Sequence, residues 1–473
     1  GAGAPSAPLA PVAGAGELRA VTDEAPGVAA SAGRSGSTWS LDKAPAISAA
    51  KAAADFVAQI FAEVAAPEPT PAVLPMAAQD GGESAADPAQ APAEPAGRPG
   101  EGMAPLQDQN ILILGLGASG LAMARWCVRC GAHVTVADTR QLPPQLAALQ
   151  QELPQVRFVA GAFGAHLVQG QGLHAVYRSP GLSPDSVAPV FVAASAMGIS
   201  TGGELSLYSM ALAALRAAHG YAPAVLAITG TNGKTTVTSL TGQLVERAGK
   251  TVAVAGNIGP TLLDTLASHI DAGTLPQVWV LELSSFQLDG VVDFEPTAAT
   301  VLNITQDHLD WHGDMQAYAA AKARIFGQSA VMVLNRDEPA VMAMLPEPVR
   351  VKLQKPQQRA HTTFGGDMPR RPGDFGIEMV SGMAWLVRAL ESDETRKRGR
   401  SEEPELHIQR LLPADALRIR GRHNAINALA ALALACEAGC ALSPMLYGLR
   451  EYRGEPHRVE PIGVVAGVEY FDD

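Results

Sequence analysis

The segment with the clearest chemical potential is Gly230-Thr231-Asn232-Gly233-Lys234-Thr235-Thr236. It follows the apolar segment 224–228 and precedes a helix-like stretch, which is the strand, loop and helix order of a phosphate-binding loop. Backbone N–H groups of such a loop point at phosphate oxygens, and the helix N-terminus adds partial positive charge. The pattern predicts that Lys234 reaches the β- and γ-phosphates of a nucleotide and that the Thr235 hydroxyl ligates Mg²⁺. The alternative is a Gly/Thr-rich turn with a solvated lysine, and the flanking strand and helix favour the phosphate loop.

Three further residues after this loop could take part in chemistry. The apolar run 278–281 leads into Glu282, and a strand that ends in a carboxylate beside a phosphate loop commonly holds Mg²⁺ on ATP. His308 lies at a strand end among carboxylates, which suits a metal ligand, whereas a lone histidine is more often structural. Lys322 lies in the helix-like segment 318–325. By pattern alone it is an ordinary lysine on a helix surface.

A second glycine-rich motif lies nearer the N-terminus. Gly115-x-Gly117-x-x-Gly120 follows a short apolar strand and opens a helix, and a second strand ends at Asp138. This is the dinucleotide-binding fingerprint, with an acidic residue about where a ribose-binding one belongs. It fits a nicotinamide-dependent enzyme with a separate ATP module, or a domain that binds another diphosphate, such as a UDP-linked substrate. Both ligands present a pyrophosphate to a helix N-terminus, so the glycines alone do not separate the two.

The elements around these motifs alternate between short apolar segments and helix-like ones. Apolar segments occur at 111–114, 133–137, 175–177, 190–197, 224–228, 251–255, 278–283, 298–303 and 330–334. Strands separated by helices predict an α/β fold with mainly parallel sheets. The segment 391–405 carries ten charged residues in fifteen, and we interpret it as a solvated surface loop.

Composition excludes several classes of protein. The 473 residues can form two to three domains, and the net charge of −12 argues against a general nucleic-acid binder. No apolar run reaches membrane-spanning length, and the N-terminus lacks the features of a secretory signal. The cysteine pairs Cys127/Cys130 and Cys436/Cys440 have no second pair of ligands to complete a zinc site. They indicate free thiols in a reducing cytoplasm.

The first hundred residues differ from the rest. They contain 31 Ala, 13 Pro and 11 Gly, so we expect a largely disordered leader that buries little apolar surface. Within it, 48–66 shows a helical stripe that either docks on a partner or forms a transient helix. The chain begins with Gly1, and Met103 lies just before the first strand. These two features fit a leader that is a fusion tail or a translated upstream region.

Eight motifs occur in the order and spacing of one enzyme family. They are GTNGKTT, GNIG, ELSSFQL, NITQDHLD, YAAAKARIF, LNRDE, GRHNAINALAALALA and EPHRVE. Over residues 110–473 the chain resembles the Mur ligases. ELSSFQL and the GLGASG opening of the first strand–helix unit resemble the branch of the family that adds D-glutamate.

The resemblance implies an architecture. It consists of a Rossmann-like N-terminal domain, a central P-loop ATPase-type domain with a mainly parallel sheet, and a C-terminal Rossmann-like domain that is largely missing here. The implied bounds are 1–105 for the leader, 106–213 for the UDP-substrate domain, 214–454 for the ATP-binding domain and 455–473 for the start of the third. The family continues beyond this point with a Ser-Lys-containing loop, so we expect a missing domain of roughly 100–150 residues.

The resemblance also implies an activity. Family members use ATP to convert a UDP-linked carboxylate to an acyl phosphate, and an amino acid then displaces phosphate in the cytoplasmic assembly of peptidoglycan. The implied partners are UDP-N-acetylmuramoyl-L-alanine, D-glutamate and ATP. Two Mg²⁺ ions and a monomeric chain are implied as well, with no nicotinamide cofactor, nucleic acid or membrane insertion.

Roles follow for the positions that match the family's motifs. Lys234 and Thr235 would hold the ATP phosphates and one Mg²⁺, and Glu282 and His308 would ligate magnesium beside the acceptor carboxylate. Lys322 matches a lysine that is carbamylated in the family, which makes it an anion able to support the second Mg²⁺. The positions that match the nucleotide site beyond the loop are Asn257, His423, Asn427 and, at the entry to the third domain, Arg458. The positions that match the UDP-substrate site are Gly117-Ala118-Ser119-Gly120, Asp138-Thr139-Arg140 and Ser179-Pro180-Gly181.

Two alternatives remain at this point. The chain could be a Mur ligase that adds another amino acid, such as the L-alanine- or diaminopimelate-adding enzymes. It could also be a non-catalytic nucleotide-binding module, a hypothesis that the expected loss of the third domain favours.

Overall fold

The computed structural model describes residues 106–349, 356–392 and 405–455, and the backbone of 460–465 and 468–472. The predictions made for the leader, for its stripe at 48–66 and for Arg458 lie outside the described residues. Most of the charged segment 391–405 lies outside them as well.

The first sheet is parallel and has the strand order β3-β2-β1-β4-β5. Its strands are β1 (Asn110–Leu114), β2 (His133–Asp138), β3 (Arg157–Ala160), β4 (Ala175–Arg178) and β5 (Ser200–Gly203). Four α-helices connect these strands or follow them, α1 (Ala118–Arg129), α2 (Leu146–Glu152), α3 (Pro184–Ala196) and α4 (Glu204–His219). Helices cover the sheet, so its central strand β1 is apolar at four consecutive positions. The apolar segment 190–197 belongs to the second half of α3 and the turn after it, not to a strand.

The second sheet is also parallel and has the order β11-β10-β9-β6-β8-β7. Its strands are β6 (Ala224–Thr229), β7 (Val252–Gly256), β8 (Val278–Glu282), β9 (Ala298–Val301), β10 (Val331–Asn335) and β11 (His361–Phe364). The helices of this part are α5 (Lys234–Arg247), α6 (Leu262–Ala272), α7 (Ser285–Leu288), α8 (Leu309–His312), α9 (Met315–Ala323), α10 (Pro339–Met342), α11 (Arg422–Glu437) and α12 (Leu442–Glu451). Because β6 lies between β8 and β9, the loops that leave these three strands meet at one edge of the sheet. Ligands of open α/β sheets bind at such an edge.

An antiparallel sheet follows, which the apolar pattern of the sequence does not predict. It consists of β12 (Phe375–Val380), β13 (Met383–Glu391) and β14 (Leu406–Pro413). Ser381 and Gly382 connect β12 to β13 with φ angles of +49° and +82°. Positive φ at both residues is the geometry of a two-residue hairpin turn. Beyond α12, β15 (Glu460–Val465) pairs antiparallel with β16 (Val468–Asp472).

One apolar cluster connects the two parallel sheets. It contains Trp126 of α1, Leu207 of α4, Leu266 of α6 and Trp279 of β8. Residue 213, where the sequence analysis places a domain boundary, lies inside α4. The two α/β units therefore share a core rather than meeting only through a linker.

Two further observations concern the whole described chain. In the parts of the chain that the structure describes, no helix has the length and apolar character needed to cross a membrane. All four cysteines are free thiols, and burial raises the pKa of Cys130 to about 11.

Candidate active site

A cavity of about 550 Å³ opens at the edge where β6, β8 and β9 end. Its lining combines the phosphate loop with polar residues from β7, β8, β9 and α11. The lining residues are Thr231, Asn232, Gly233, Lys234, Thr235, Thr236, Asn257, Ile258, Glu282, Asn303, His423, Asn424 and Asn427. The structure thus gathers the predicted phosphate loop and the predicted Asn257, Glu282, His423 and Asn427 around one space.

The phosphate loop needs glycine at two positions. Gly233 precedes α5 with φ at +81°, a left-handed conformation that glycine adopts without strain. A Cβ atom there would lie 3.0 Å from the Asn427 side-chain oxygen, and one at Gly230 would lie 3.0 Å from Leu302. The loop therefore fits closely between β9 and α11, and α5 begins directly at Lys234.

Asn303, the second residue after β9, holds the loop in shape. Its side-chain oxygen accepts hydrogen bonds from the backbone N–H of Thr231 at 3.1 Å and of Asn232 at 2.8 Å. Its amide group donates to the Asn232 carbonyl at 3.0 Å. The expectation that the loop's N–H groups point at phosphate is thus wrong for these two, because Asn303 already engages them. The start of α5 adds further N–H groups and a partial positive charge on the side of the cavity.

Lys234 lies across the loop. Its Nζ donates to the carbonyl oxygens of Gly230 at 3.1 Å and Thr231 at 2.9 Å. A primary ammonium group has three donors on a flexible stem, so it can exchange these carbonyls for phosphate oxygens.

Glu282 ends β8 as a buried carboxylate that is 1% exposed. Its Oε1 accepts a hydrogen bond from Asn257 Nδ2 at 3.0 Å, while its Oε2 has no partner among the described residues. A buried carboxylate oxygen without a partner is costly unless something else binds it. Mg²⁺ on ATP typically uses one or two protein oxygens in addition to phosphates and water, so Glu282 and the Thr235 hydroxyl fit such an ion.

Lys322 is not the ordinary surface lysine that the helical pattern indicates. Its side chain is 2% exposed, and Nζ donates to the Gly230 carbonyl at 2.9 Å and to Thr229 Oγ1 at 3.3 Å. Burial and the positive charge of Lys234 lower the pKa of this amine to about 7, against the weaker opposite effect of Asp307 and Glu282. The helical pattern of 318–325 did not reveal this burial. The face of α9 that carries Lys322 packs against the phosphate loop, and the small neighbouring side chains leave room for a long one.

His308 does not line the cavity. Its φ of +51° places it just before α8, and its Nε2 lies 3.3 Å from Asp307 Oδ2. Its ring packs against Phe286, with 4.7 Å between the ring centroids. Within residues that the structure describes, no group of three or more His, Cys, Asp or Glu side chains could hold a metal ion. The assignment of Glu282 and His308 as magnesium ligands stays a prediction.

One side of the cavity is formed by α11. Residues 428–435 of this alanine-rich helix are all buried and pack it against α5, while its first two turns carry His423 and Asn427. Asn427 donates to Asn424 at 3.2 Å. Asn424 was not among the predicted residues although it lies in the same motif.

The glycine fingerprint of the first domain forms a tight turn between β1 and α1. Gly115 has φ at +86°, and a Cβ atom at Gly120 would lie 2.0 Å from the Gly115 carbonyl oxygen. Ser179 closes the turn from β4, since its hydroxyl donates to the same carbonyl at 2.9 Å. Of the residues after it, Pro180 is half-buried and Gly181 is exposed.

Asp138 ends β2 beside this turn, but its carboxylate is already occupied. It accepts from the Leu116 N–H at 2.7 Å and from the backbone N–H, Nε and Nη2 of Arg140 at 2.9, 2.8 and 2.8 Å. Four donors match the roughly four acceptor positions of a carboxylate. Burial acts to raise the pKa of Asp138, but these bonds outweigh it and lower the pKa to about 2. Thr139 and Arg140 lie exposed at the end of the strand.

Comparisons with known proteins agree with the motifs. Residues 228–435 match the Mur ligase middle domain, and residues 109–203 match the Mur ligase MurD-like N-terminal domain. The chain is 72% identical over 371 residues to the UDP-N-acetylmuramoylalanine--D-glutamate ligase of Albidiferax ferrireducens. This alignment covers 78% of this chain and 73% of the relative. It is 60% identical over 457 aligned residues to the ligase of the same name from Polaromonas sp., and that alignment covers 78% of each protein.

A solved structure is also similar. The crystal structure of UDP-N-acetylmuramate:L-alanyl-gamma-D-glutamyl-meso-diaminopimelate ligase from Neisseria meningitides matches with a TM-score of 0.45 and 16% identity, over 74% of this chain and 99% of that one. The extent and identity of the matches to the curated ligases establish the relationship. The chain belongs to the Mur ligase family, in the branch that carries the MurD-like N-terminal domain.

Proposed function

We propose that the chain catalyses the ATP-dependent addition of D-glutamate to UDP-N-acetylmuramoyl-L-alanine, a step of peptidoglycan synthesis. The observation that carries this proposal is the 72% identity to a ligase of that name, in a chain whose cavity pairs a phosphate loop with the buried carboxylate of Glu282. In the reaction, the acceptor carboxylate attacks the γ-phosphate of ATP and forms an acyl phosphate, and ADP leaves. The amino group of D-glutamate then displaces phosphate through a tetrahedral intermediate.

The proposed roles of the phosphate-binding residues follow from the cavity. The N–H groups that open α5 and the Lys234 ammonium bind the ATP phosphates, because both present positive charge to one space. The Thr235 hydroxyl and Glu282 Oε2 would hold Mg²⁺, which when bound neutralises charge on the transferring phosphoryl group. A second Mg²⁺ and its proposed support by His308 and Lys322 are part of the same hypothesis.

We propose further that Lys322 is carbamylated. Only a neutral amine can add CO₂, and a pKa of about 7 leaves a large neutral fraction at neutral pH. The carbamate would replace a buried cation beside Lys234 by an anion, which removes the repulsion between the two lysines.

The first domain is proposed to bind the UDP part of the acceptor. The turn at Gly117-Ala118-Ser119-Gly120 offers the N-terminus of α1 to the diphosphate, and Asp138-Thr139-Arg140 and Ser179-Pro180-Gly181 flank it. The occupied carboxylate of Asp138 supports this over nicotinamide binding, because an acid that binds ribose hydroxyls needs free acceptor positions. Asn257, His423 and Asn427 are proposed to frame the adenine of ATP, and Arg458 is proposed to join the ATP-binding residues from the entry to the third domain.

Location and assembly are part of the proposal. A reaction that consumes ATP and a UDP-linked sugar places the chain in the cytoplasm. We also propose that it acts as a monomer, as the resemblance to the family implies.

Titration calorimetry tests the function directly. We expect saturable binding of UDP-N-acetylmuramoyl-L-alanine and no binding of NADH. Binding of NADH alone would overturn the assignment. Assays of ATP-dependent ligation with D-glutamate, L-alanine and diaminopimelate, each with its own UDP-linked acceptor, then separate the proposed activity from that of other Mur ligases.

A further inference from the structure

The carboxylate of Asp289 joins three segments that carry proposed site residues. Asp289 follows α7, seven residues after Glu282 at the end of β8. Its Oδ2 lies 2.9 Å from Arg178 Nη2, and its Oδ1 lies 2.9 Å from Arg324 Nη1. Arg178 directly precedes the Ser179-Pro180-Gly181 loop, and Arg324 is the second residue after Lys322. A single side chain therefore connects three segments: the Ser179-Pro180-Gly181 loop, called the acceptor loop below, the end of β8, and α9.

Arg178, which links Asp289 to the first domain, is fixed by several contacts. The Arg178 side chain is 7% exposed, although it carries a charge. Its guanidinium lies 5.8 Å from the ring centroid of Phe191 in α3 and 5.4 Å from that of Trp311 in α8. A guanidinium between two aromatic rings from two domains cannot move without breaking both contacts and the ion pair.

Arg324 links Asp289 to α9, and α9 in turn contacts the phosphate loop. Arg324 follows the last residue of α9, and the same helix carries Tyr318 and Lys322. Tyr318 OH lies 3.1 Å from Thr231 Oγ1, and Lys322 Nζ donates to the Gly230 carbonyl at 2.9 Å. An unbroken series of contacts thus runs from the loop proposed for the UDP-linked acceptor to the loop proposed for ATP.

We propose that Asp289 is a positioning residue that couples the binding of the UDP-linked acceptor to the binding of ATP, by holding the acceptor loop and α9 in fixed relation. The inference rests on the proposed function, which assigns the two ligands to the two loops. Two guanidinium groups share one carboxylate, so loss of its charge deprives the buried Arg178 of this anionic partner and weakens the connection between the Ser179-Pro180-Gly181 loop and α9.

A purely structural role for Asp289 predicts a different behaviour. In that case its loss would lower stability as the loss of another ion pair between the domains does, with no particular effect on the ligands. The chain offers a matched control, because Arg129 of α1 pairs with Asp271 of α6 at 2.7 Å. This pair also joins the two domains, but Arg129 is the last residue of α1 and lies at the opposite end of that helix from the glycine turn.

The experiment measures the affinity of the full chain for UDP-N-acetylmuramoyl-L-alanine by calorimetry, with and without a non-hydrolysable ATP analogue and Mg²⁺. In the unmodified chain we expect the analogue to tighten acceptor binding about fivefold or more. In Asp289→Asn we expect this factor to fall close to one, while the affinity for the analogue alone changes less than about twofold. Arg129→Gln should keep the factor of the unmodified chain.

The outcomes separate the inference from the proposed function. If the unmodified chain does not bind the acceptor, the proposed function is overturned. If it binds both ligands but shows no coupling, or if Asp289→Asn keeps the coupling, only the inference is overturned. Should Asp289→Asn fail to fold, Arg324→Gln breaks the same connection at a side chain that is 42% exposed, and the same loss of coupling is expected.

Discussion

Two buried ionisable side chains of this protein differ in whether burial or hydrogen bonding decides their charge. For Lys322 burial dominates, and its two hydrogen bonds go to a carbonyl and a hydroxyl that do not offset the lost hydration. For Asp138 the bonds from Arg140 and the Leu116 N–H outweigh burial. The first residue is therefore poised to change its charge near neutral pH, while the second stays ionised.

The Lys322 amine predicts a pH dependence of stability. Its pKa is about 7 in the folded chain against an ordinary 10.5. Between these values the unfolded chain binds more protons than the folded one, so the free energy of unfolding rises with pH. We expect Lys322→Met to remove a slope of up to about 1.4 kcal/mol per pH unit. The measurement is urea unfolding between about pH 7 and 10 in magnesium-free, CO₂-depleted buffer. Parallel curves for the two proteins would contradict the prediction.

Removal of the phosphate-loop lysine tests the nucleotide site. We expect Lys234→Ala to abolish ligation in the complete enzyme and to weaken binding of an ATP analogue about 10- to 100-fold, the cost of a charged hydrogen-bond donor. Lys250→Ala, a lysine outside the cavity lining, should bind the analogue as the unmodified chain does. Calorimetric titration of both variants makes the comparison. Equal affinities of Lys234→Ala and the control would refute the assigned role.

At the scale of elements, the phosphate loop depends on its neighbouring strand as much as on its own residues. Asn303 follows β9 and binds the backbone of the loop at Thr231 and Asn232. The strand order places β9 next to β6, so this clamp exists only in the folded sheet. The shape of the loop is therefore a property of two elements that lie about 70 residues apart in the chain.

Substitutions of Asn303 separate the shape of the loop from its charge. Asn303→Ala removes bonds to three backbone groups, so we expect the free energy of unfolding to fall by about 1–3 kcal/mol and the affinity for an ATP analogue to fall about tenfold. Asn303→Asp keeps the acceptors but adds negative charge beside the phosphates, so the affinity should fall with a smaller loss of stability.

Asn110→Ala serves as the matched control for Asn303. Asn110 also bonds to a backbone carbonyl through its side chain, at Gly172 in the first domain. Its replacement should leave the affinity unchanged. Denaturant unfolding and calorimetry measure both quantities, and an unchanged affinity in Asn303→Asp would contradict the electrostatic argument.

The sequence predicts the parallel sheets better than the rest of the fold. Buried parallel strands are short apolar runs between helices, and β1, β6 and β8 show this pattern. The antiparallel strands β12 to β14 were missed because their half-buried residues mix charges with apolar side chains. The Ser381-Gly382 dipeptide between β12 and β13 was the signal that could have revealed the hairpin.

The candidate site was predictable where a motif carries its own chemistry. Lys234 and Glu282 were found from local spacing, because a glycine loop and a strand-end carboxylate have characteristic neighbours. Asn303 and Tyr318 act through contacts with the loop from other elements, so spacing along the chain contains no sign of their role. The burial of Lys322 likewise depends on how α9 packs against the loop.

At the scale of the whole molecule, the first and central domains behave as one packed body. Their shared apolar cluster includes Leu207 and Leu266 at the contact between α4 and α6. At the same contact the Glu204 side chain, which is 3% exposed, accepts from the Leu263 N–H at 3.2 Å and so caps α6. Burial raises the pKa of Glu204, although hydrogen bonds from Ser119 and from the backbone N–H groups of Leu262 and Leu263 oppose the shift.

This interface predicts a single unfolding transition for the two domains. Glu204→Ala leaves buried N–H groups at the start of α6 without an acceptor, so we expect the free energy of unfolding to fall by about 1–3 kcal/mol. Glu152→Ala breaks an exposed ion pair with Arg125 and should cost less than about 1 kcal/mol. Scanning calorimetry measures both. Two separate transitions in the unmodified protein would contradict the shared core.

The saturated carboxylate of Asp138 has a consequence for protein engineering. Attempts to change the ligand of a glycine-fingerprint domain usually begin with the glycines and the acid that follows them. Here the acid is present and the glycines are in place, yet Arg140 occupies the positions that a ribose would need. To turn this domain into a nicotinamide binder, a designer would first have to replace Arg140, because its side chain supplies two of the four hydrogen bonds that Asp138 accepts.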